Sequence, residues 1–321
     1  MTRFAMMTWN VENLFRPGTS ELNIDGATYR RKIEFLAGVI RSRDVDLVAL
    51  QEVGGDGPLA DLQAALGADY AQQRIGVADG RGIAVGVISR LPLDDAADIA
   101  TEPFPSDTDP ALVAGGRGAL RIALQVGDLR LHLITAHLKS KLLTFTRPDG
   151  TPAFSTNDEE ERVRVGAEAV LRRTAEARTL RRRVNELLPG DAVIVTGDLN
   201  DVADAATTLF LAGPPGSEIG TGGFHQPDRG DPQRLWNLAP AIAEDRRYSR
   251  VFQGRRELID HIFVSDRLLP RQDDGKRRLP EVDSLVDLEE HGLPSITEAR
   301  PAASAHSVLP DHAPQVAVFS L

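Results

Sequence analysis

The stretch Ala192-Val193-Ile194-Val195-Thr196-Gly197-Asp198-Leu199-Asn200-Asp201 determines how the rest of this chain is interpreted. A run of β-branched residues that stops at Gly-Asp predicts a buried strand that delivers polar side chains to one edge of a sheet. Asp198 and Asn200 are two residues apart, so on an extended backbone they face the same side. Taken alone, the segment fits a turn equally well, because Gly, Asp and Asn are also good turn residues.

The same arrangement recurs in five other segments of the chain. Apolar runs over 4–9, 45–51 and 129–136 end at polar residues, whereas runs over 261–265 and 313–321 have polar residues before their starts. These polar residues are Asn10 and Glu12, Glu52, His137, Asp260, and Asp311 with His312. In a sheet with antiparallel neighbours, the end of one strand lies beside the start of the next. We therefore expect all six positions to meet at one rim.

A buried rim with five carboxylates predicts a bound divalent cation, since the carboxylates would otherwise repel one another. The chain has no Cys and only seven His. Hard oxygen donors suit Mg²⁺ or Mn²⁺ rather than Zn²⁺. His312 beside a carboxylate such as Asp260 is an acid–base unit, although a satisfied surface His is the alternative. His137 and Lys139 lie on one side of a strand and suit phosphate oxygens, although Lys139 alone also fits an exposed lysine.

Composition places the chain among ordinary globular proteins. It has 321 residues, of which 41% are hydrophobic and 26% charged. Because the polar positions run from residue 10 to residue 312 and must converge, we predict a single domain over residues 1–321. A net charge of −10 argues against tight, static binding of nucleic acid, but a bound cation reverses the local field and leaves a nuclease open.

The sequence also suggests a location. No secretory signal precedes the first strand, and no run approaches the ~18 apolar residues of a membrane span. We therefore expect a cytoplasmic protein with no membrane insertion. The absence of Cys leaves the redox compartment undetermined.

Two helices are predicted, over 29–42 and about 158–188, the second capped by Ser155, Thr156 or Asn157. On the second helix we predict one apolar stripe, formed by Val163, Ala167, Val170, Ala177, Leu180, Val184 and Leu187. Its arginines are Arg172, Arg173, Arg178, Arg181, Arg182 and Arg183, for which a solvated face is favoured over a substrate contact. Segments 101–116, 143–157 and 213–232 are predicted loops that select substrate, and 276–310 is left unassigned.

Taken together, six motifs resemble those of the endonuclease/exonuclease/phosphatase superfamily, which has a DNase-like fold. They are Trp9-Asn10-Val11-Glu12-Asn13-Leu14-Phe15, Leu50-Gln51-Glu52-Val53, Thr135-Ala136-His137-Leu138-Lys139-Ser140, Gly197-Asp198-Leu199-Asn200, Ile259-Asp260-His261-Ile262-Phe263-Val264-Ser265 and Pro310-Asp311-His312-Ala313-Pro314. The resemblance spans residues 4–321 in the family's order, and the opening motif is similar to that of a bacterial nuclease-like branch. It implies an α/β four-layer sandwich, in which two packed mixed, mostly antiparallel β-sheets are flanked by helices.

The resemblance also implies roles for single residues. Glu52 corresponds to the principal Mg²⁺ ligand, with Asn10, Glu12 and Asp311 on the metal or its waters. Asp198 corresponds to the residue that positions or deprotonates the attacking water.

The remaining implied roles concern substrate. Asn200 corresponds to a phosphate contact, with Lys139 and Asn10 as further substrate-binding residues, and His312, oriented by Asp260, corresponds to the catalytic histidine. His137 matches a position that is His in DNase-like and sphingomyelinase-like branches and Tyr in abasic-site enzymes, which argues against abasic-site repair.

The leading functional hypothesis is a Mg²⁺-dependent nuclease or phosphodiesterase that uses in-line attack of water. The alternative is a phosphomonoesterase acting on a small phosphorylated metabolite or lipid headgroup. The acidic charge and the absence of a basic, aromatic-interleaved stripe favour it slightly, with only two Trp and three Tyr present. An inactive binding module is disfavoured because every polar position is retained. DNA against RNA, endo against exo action, and protein partners stay open.

Overall fold

Two six-stranded sheets and four helices form the described part of this computed structural model, which covers residues 2–19, 24–102, 117–147, 149–288, 295–296 and 308–321. The helices are α1 Gly26–Ser42, α2 Asp56–Leu66, α3 Glu159–Leu187 and α4 Ala206–Ala212. The strands are β1 Arg3–Leu14, β2 Leu47–Val53, β3 Gln72–Ile75, β4 Ala84–Ser89, β5 Asp95–Ile99, β6 Ala119–Val126, β7 Leu129–His137, β8 Phe145–Thr146, β9 Pro152–Ala153, β10 Ala192–Asp198, β11 Leu235–Asn237, β12 Arg250–Phe252, β13 Arg255–Glu257, β14 Asp260–Ser265, β15 Glu281–Ser284, β16 Ser295–Ile296 and β17 Gln315–Ser320.

Both large sheets are mixed. The first has the order β15-β17-β1-β2-β4-β3 and the second β11-β14-β10-β7-β6-β5. Within them, β1 runs parallel to β2 and β7 parallel to β10, while the other described pairs are antiparallel. Smaller sheets join β13-β12-β16 and β8-β9.

Alternating side chains along β1 show how the layers pack. Phe4 and Met6 belong to a core between the two sheets, which also contains Ile194 of β10. Their neighbours Met7 and Trp9 point the other way, into a core beneath α1 and α2. A third core packs α3 and α4 on the outer face of the second sheet. Side chains alternate with a period of two along a strand, so one strand serves two cores. The predicted four-layer sandwich is confirmed.

Several predicted boundaries need correction. Helix α1 begins at Gly26 rather than at residue 29, because the carboxylate of Asp25 accepts hydrogen bonds from two backbone N–H groups of the first turn. Asp158 caps α3 in the same way, in place of Ser155, Thr156 or Asn157. Helix α2 was not predicted, and a β8-β9 hairpin interrupts the predicted loop over 143–157.

The predicted surface of α3 is wrong in two respects. Val163 and Val170, assigned to an apolar stripe, are 57% and 50% exposed. Arg173, assigned to a solvated face, is buried, and its Nε donates to Asp201 across 3.1 Å. The first turns of α3 therefore do not lie flat on the sheet as its second half does, where Leu180 and Val184 are buried.

The other sequence predictions have mixed outcomes. Residues 103–116 of one predicted loop, and 289–294 and 297–307 of the unassigned segment, lie outside the described residues, while β15 occupies 281–284. None of the described helices is both long enough and apolar enough to cross a membrane. The single domain over 1–321 stays a prediction.

Candidate active site

Strand register in the second sheet brings three predicted site residues side by side. Asp198, at the end of β10, is paired with His137 of the parallel strand β7 and with Asp260 of the antiparallel strand β14. The Nε2 atom of His137 lies 3.4 Å from Oδ2 of Asp198. The rim predicted from the ends and starts of these strands is present in the fold.

Gly197 lets β10 approach β7 closely just before the site. Its φ is +131°, and a Cβ atom at this position would lie 2.0 Å from the carbonyl oxygen of Ala136. Any other residue would therefore push the two strands apart or bend β10. Glycine at this position thus sets where the carboxylate of Asp198 emerges.

Asn200 follows in a left-handed turn, with φ of +53°. Its backbone N–H donates to Oδ1 of Asp198 across 2.9 Å, and its side-chain amide donates to the carbonyl oxygen of Leu138 across 3.1 Å. Residues 192–198 thus form the predicted strand, and the alternative, a turn, holds for the residues that directly follow it. The turn holds the Asn200 amide at the same cleft as Asp198.

The first sheet contributes Glu12 and Glu52 from an irregular part of its β1-β2 pair. The register of the pair shifts between Asn10 and Leu14. Glu12, Asn13 and Glu52 have φ values of +48°, +54° and +64°. Left-handed backbone at non-glycine residues is costly and is concentrated at functional sites. Bulges of this kind re-aim side chains next to active sites.

Asn10 connects the carboxylates of the two sheets. Its Nδ2 atom lies 3.0 Å from Oδ2 of Asp198 and 3.4 Å from Oε1 of Glu52. Its Oδ1 atom accepts the backbone N–H of Glu12 across 3.0 Å, which fixes the orientation of the amide. Asn10 thus donates to carboxylates in this arrangement and does not turn its oxygen towards them.

His312 is held in place by Asp260. Its Nδ1 atom lies 2.7 Å from Oδ2 of Asp260, and both residues are buried. The indole of Trp9 donates to the carbonyl oxygen of His312 across 2.8 Å. The Nε2 atom of the imidazole lies 4.0 Å from Oδ2 of Asp198, at the wall of the cleft. Asp311 adds a backbone N–H that donates to Glu12 across 3.1 Å.

These surroundings separate the protonation states of the two histidines. Burial alone would lower the pKa of His312, but the carboxylates of Asp260, Asp311 and Asp198 outweigh it and raise the pKa to about 10. Burial, with Arg117 and His312 nearby, holds the pKa of His137 well below its usual value. His312 is therefore cationic and His137 neutral at pH 7 in the metal-free protein.

The surroundings of Asp198 raise the pKa of its carboxyl group. Burial and the neighbouring charge of Asp260 raise its pKa to about 7, against the opposing influence of His312. A carboxylate poised near neutral pH is suited to accept a proton from water.

Glu12, Glu52, His137, Asp198, Asn200, Asp311 and His312 line a cleft of about 670 Å³, with Asn10 and Asp260 buried behind them. Five Lys and Arg side chains and five carboxylates line it, together with His312, and the arginines include Arg81, Arg117 and Arg250, which were not predicted from the sequence. Arg117 donates to the carbonyl oxygen of Leu138 across 3.3 Å, while its backbone N–H donates to Glu176. Arg117 precedes a strand whose neighbour ends at His137, and this proximity is the signal that was available in the sequence.

Lys139, predicted to bind substrate, is placed differently from Arg117. Its ammonium group donates to the carbonyl oxygens of Ser140 and Leu142, each across 2.9 Å, and the residue lines a neighbouring cavity of about 330 Å³. Burial, followed by repulsion from Arg117, lowers its pKa to about 8. His137 lines the cleft of about 670 Å³, whereas Lys139 lines the neighbouring cavity beside α3.

The oxygen-rich end of the cleft fits a hard divalent cation. The carboxylates of Glu52 and Asp198 share a donor in Asn10, and those of Glu12 and Asp311 line the same cleft. Asp198, Asp260 and His312 also offer ligand atoms within 4.8 Å of one another, but Nδ1 of His312 and Oδ2 of Asp260 already contact each other across 2.7 Å. Glu52 is therefore the better centre for a Mg²⁺ or Mn²⁺ site.

Comparison with known proteins identifies the class. The sequence model of the endonuclease/exonuclease/phosphatase family matches residues 7–297, and the chain belongs to this family. Membership identifies it as a hydrolase of phosphoester bonds. No curated protein matches the sequence.

Solved structures confirm the fold. Truncated TDP2 from Caenorhabditis elegans is 16% identical, with 99% of this chain and 98% of that chain covered and a TM-score of 0.54. The human Nocturnin catalytic domain with bound sulfate anion is 14% identical, with 99% and 94% covered and a TM-score of 0.54. An endonuclease/exonuclease/phosphatase from Bacteroides vulgatus is 16% identical, with both chains fully covered and a TM-score of 0.57.

Proposed function

We propose that this protein is a Mg²⁺-dependent phosphodiesterase that cleaves nucleic acid by in-line attack of water, with Mn²⁺ as a substitute metal. The observation that carries the proposal is the convergence of Asp198, His312 and Glu52 at one cleft. Asp198 and His312 approach to 4.0 Å, and Asn10 hydrogen bonds to both Asp198 and Glu52.

In this proposal, Asp198 orients the attacking water and accepts its proton. The Asn200 N–H holds Oδ1 of Asp198 and leaves Oδ2 facing the cleft, where His137 and Asn10 contact it. His312 is fixed by Asp260 and keeps its Nε2 proton free for a phosphoryl oxygen. Positioned general acid–base groups contribute about 10²–10⁴-fold each.

Charge that develops on the phosphoryl oxygens is met by several groups of this chain. His312 supplies a cationic N–H, and the amide of Asn200 has a second N–H beyond the one donated to Leu138. A metal bound at Glu52 would add Lewis-acid stabilisation of the same charge. Since uncatalysed phosphoester hydrolysis is extremely slow, the site must supply about 15–20 kcal/mol, mostly by positioning and electrostatics.

A phosphomonoesterase acting on a small metabolite or lipid headgroup is the second candidate, favoured by the net charge of −10. An inactive binding module receives no support from the geometry, because the described site retains every acid, amide and imidazole that the sequence analysis named. The cytoplasmic location stays a prediction.

Hydrolysis of supercoiled plasmid and of a panel of phosphorylated metabolites, side by side in Mg²⁺, separates the two candidates. We expect plasmid nicking that is lost with chelator and falls at least about a hundredfold in Asp198→Asn and His312→Gln. His132→Gln is the matched control, since His132 is also buried and contacts a carboxylate, Asp191, but lies outside the cleft. Phosphate release from one metabolite with intact plasmid would replace the nuclease assignment with the phosphatase. Near wild-type turnover in Asp198→Asn would overturn the mechanism.

A further inference from the structure

Two residues that the proposed chemistry does not use stand on one face of β12 beside the catalytic centre. Arg250 and Phe252 are two residues apart, so they project from the same side of the strand, and both line the cleft. The guanidinium carbon of Arg250 lies 5.0 Å from the ring centroid of Phe252. The pair thus presents a cation and an aromatic face together.

Backbone pairing places this strand next to the catalytic histidine. Arg250 forms an isolated antiparallel bridge with His312, and the backbone N–H of Ala313, which follows His312, donates to the carbonyl oxygen of Ser249, which precedes Arg250, across 2.7 Å. Nε of Arg250 is buried and has no hydrogen-bond partner among the described residues, and the ion pairs found there do not include this guanidinium. Glu257 faces Arg250 across the β12-β13 pair, but among the described residues no ion pair joins the two, so the positive charge beside His312 is available to an anion.

A second exposed ring lines the same cleft from the segment before α3. Phe154 is 64% exposed and Phe252 36% exposed, although most large apolar side chains in the described residues are buried. Leu142, 57% exposed, adjoins the cleft as well. Exposed apolar side chains that line a polar cleft are a feature of ligand-binding surfaces, where apolar walls surround a few polar groups.

We propose that Arg250 and Phe252 form a platform that binds single-stranded nucleic acid, with Phe154 as a further apolar contact. On this proposal, which rests on the proposed function, the Phe252 ring stacks on an unpaired base next to the scissile phosphate. Arg250 contacts a phosphate of the same strand. Base faces in a duplex are already stacked on their neighbours, so exposed rings select unpaired nucleotides. Stacking of this kind contributes about 1–3 kcal/mol per base.

The platform corrects an expectation from the sequence. No basic, aromatic-interleaved stripe is visible along the chain, but the fold assembles one from β12, from the segment before α3 and from Arg162 in the first turn of α3. The five Lys and Arg side chains of the cleft equal its carboxylates in number, so the cleft is far less anionic than the molecule as a whole, whose net charge is −10.

The test asks whether the loss of the Phe252 ring weakens binding only when the oligomer carries bases. Binding of fluorescein-labelled oligodeoxythymidylate of twelve residues is followed by anisotropy in EDTA, beside an abasic oligomer of the same length in which tetrahydrofuran replaces each nucleoside. We expect Phe252→Ala to weaken binding of the thymidylate about tenfold and binding of the abasic oligomer by less than about twofold. Phe252→Tyr, which keeps the aromatic face, restores binding. Phe210→Ala, an exposed ring on α4 outside the cleft, is the matched control.

Arg250 is tested by salt dependence. Arg250→Gln is expected to reduce the slope of log K against log salt by about one unit, equally for both oligomers. Arg256→Gln, whose guanidinium carbon lies 4.6 Å from the ring centroid of Tyr248 outside the cleft, is the control with an unchanged slope.

Several outcomes would overturn the platform. One is that Phe252→Ala weakens binding of both oligomers equally or of neither. Another is that the protein binds a duplex more tightly than the single strand and that this binding does not depend on Phe252. Loss of a lipid or metabolite activity in Phe252→Ala, without any oligomer binding by the wild type, would reassign the ring to another phosphoester. Coupled binding without hydrolysis of any phosphoester would instead contradict the proposed function and leave the platform intact.

Discussion

Asn10 donates a hydrogen bond to Asp198, with Nδ2 3.0 Å from Oδ2, and so joins β1 of the first sheet to β10 of the second. The same nitrogen lies 3.4 Å from Glu52. A neutral donor between two carboxylates lessens the repulsion between them.

Asn10→Asp puts a third carboxylate at this point and removes the donor. We expect the metal-free variant to lose about 1–3 kcal/mol of unfolding free energy, and Mg²⁺ to recover more stability in the variant than in the wild type. Thermal unfolding with EDTA and with Mg²⁺ measures both effects, with Asn185→Asp on the exposed side of α3 as the control. An equal response of wild type and variant to Mg²⁺ would mean that these carboxylates do not share a cation.

His312 makes the stability of the metal-free protein depend on pH. Its pKa is about 10 in the folded chain, and about 6.5 is usual when unfolded, so its stabilisation is complete below pH 6.5 and is lost as pH rises through 10. The difference in unfolding free energy between wild type and His312→Gln should therefore shrink between pH 6.5 and 10.

Urea unfolding in EDTA at several pH values measures this difference. His132→Gln is the control, because burial lowers the pKa of His132. The contribution of His132 to the free energy of unfolding therefore changes with pH only below about pH 6.5. A constant difference between wild type and His312→Gln from pH 6 to 10 would contradict the assignment of a cationic His312.

Gly197→Ala should disrupt the β7-β10 pair. The new Cβ would lie 2.0 Å from the carbonyl oxygen of Ala136, at a φ of +131°. We expect a loss of at least about 3 kcal/mol in denaturant unfolding, from strain and from overpacking together. Gly38→Ala in α1, where nothing lies within 4 Å, is expected to be neutral or to stabilise by up to about 1 kcal/mol. Similar stabilities of the two variants would refute the close approach of the strands.

Arg173 and Arg172 test the corrected surface of α3. Arg173 is buried and donates to Asp201 and to the carbonyl oxygen of Lys139, whereas Arg172 is exposed. Arg173→Met should cost about 3 kcal/mol because a buried carboxylate loses one of its partners, while Arg172→Met should change stability by less than about 0.5 kcal/mol. Equal costs in chemical denaturation would restore the solvated-face interpretation of Arg173.

Arg117 and Lys139 both lower the pKa of His137, and the fold gives the two cations different surroundings. Arg117 lines the cleft, and Lys139 is turned to backbone carbonyls. Arg117→Met should lower kcat/KM at least about tenfold, and Lys139→Met less than about threefold. Unfolding temperatures of both variants identify any purely structural loss. The reverse order of kcat/KM would support the substrate contact that the sequence predicts for Lys139.

The four-layer fold was implied by the resemblance of six motifs to a known family. The sequence by itself determined the strands that carry the site and the meeting of Asp198, His312 and Glu52 at one rim. These follow from local patterns, since an apolar run that ends at a polar residue fixes both a strand and the edge at which its polar group emerges. Sheet pairing then has few ways to satisfy the backbone.

Only the tertiary structure decided which way side chains next to those strands point. Arg173 faces inward because it hydrogen bonds there to Asp201, which is distant in sequence. Arg250 and Phe252 reach the cleft because β12 forms a backbone bridge to His312. Helical and strand periodicity define faces relative to the element itself. The orientation of each face depends on partners distant in sequence, whose packing no local pattern contains.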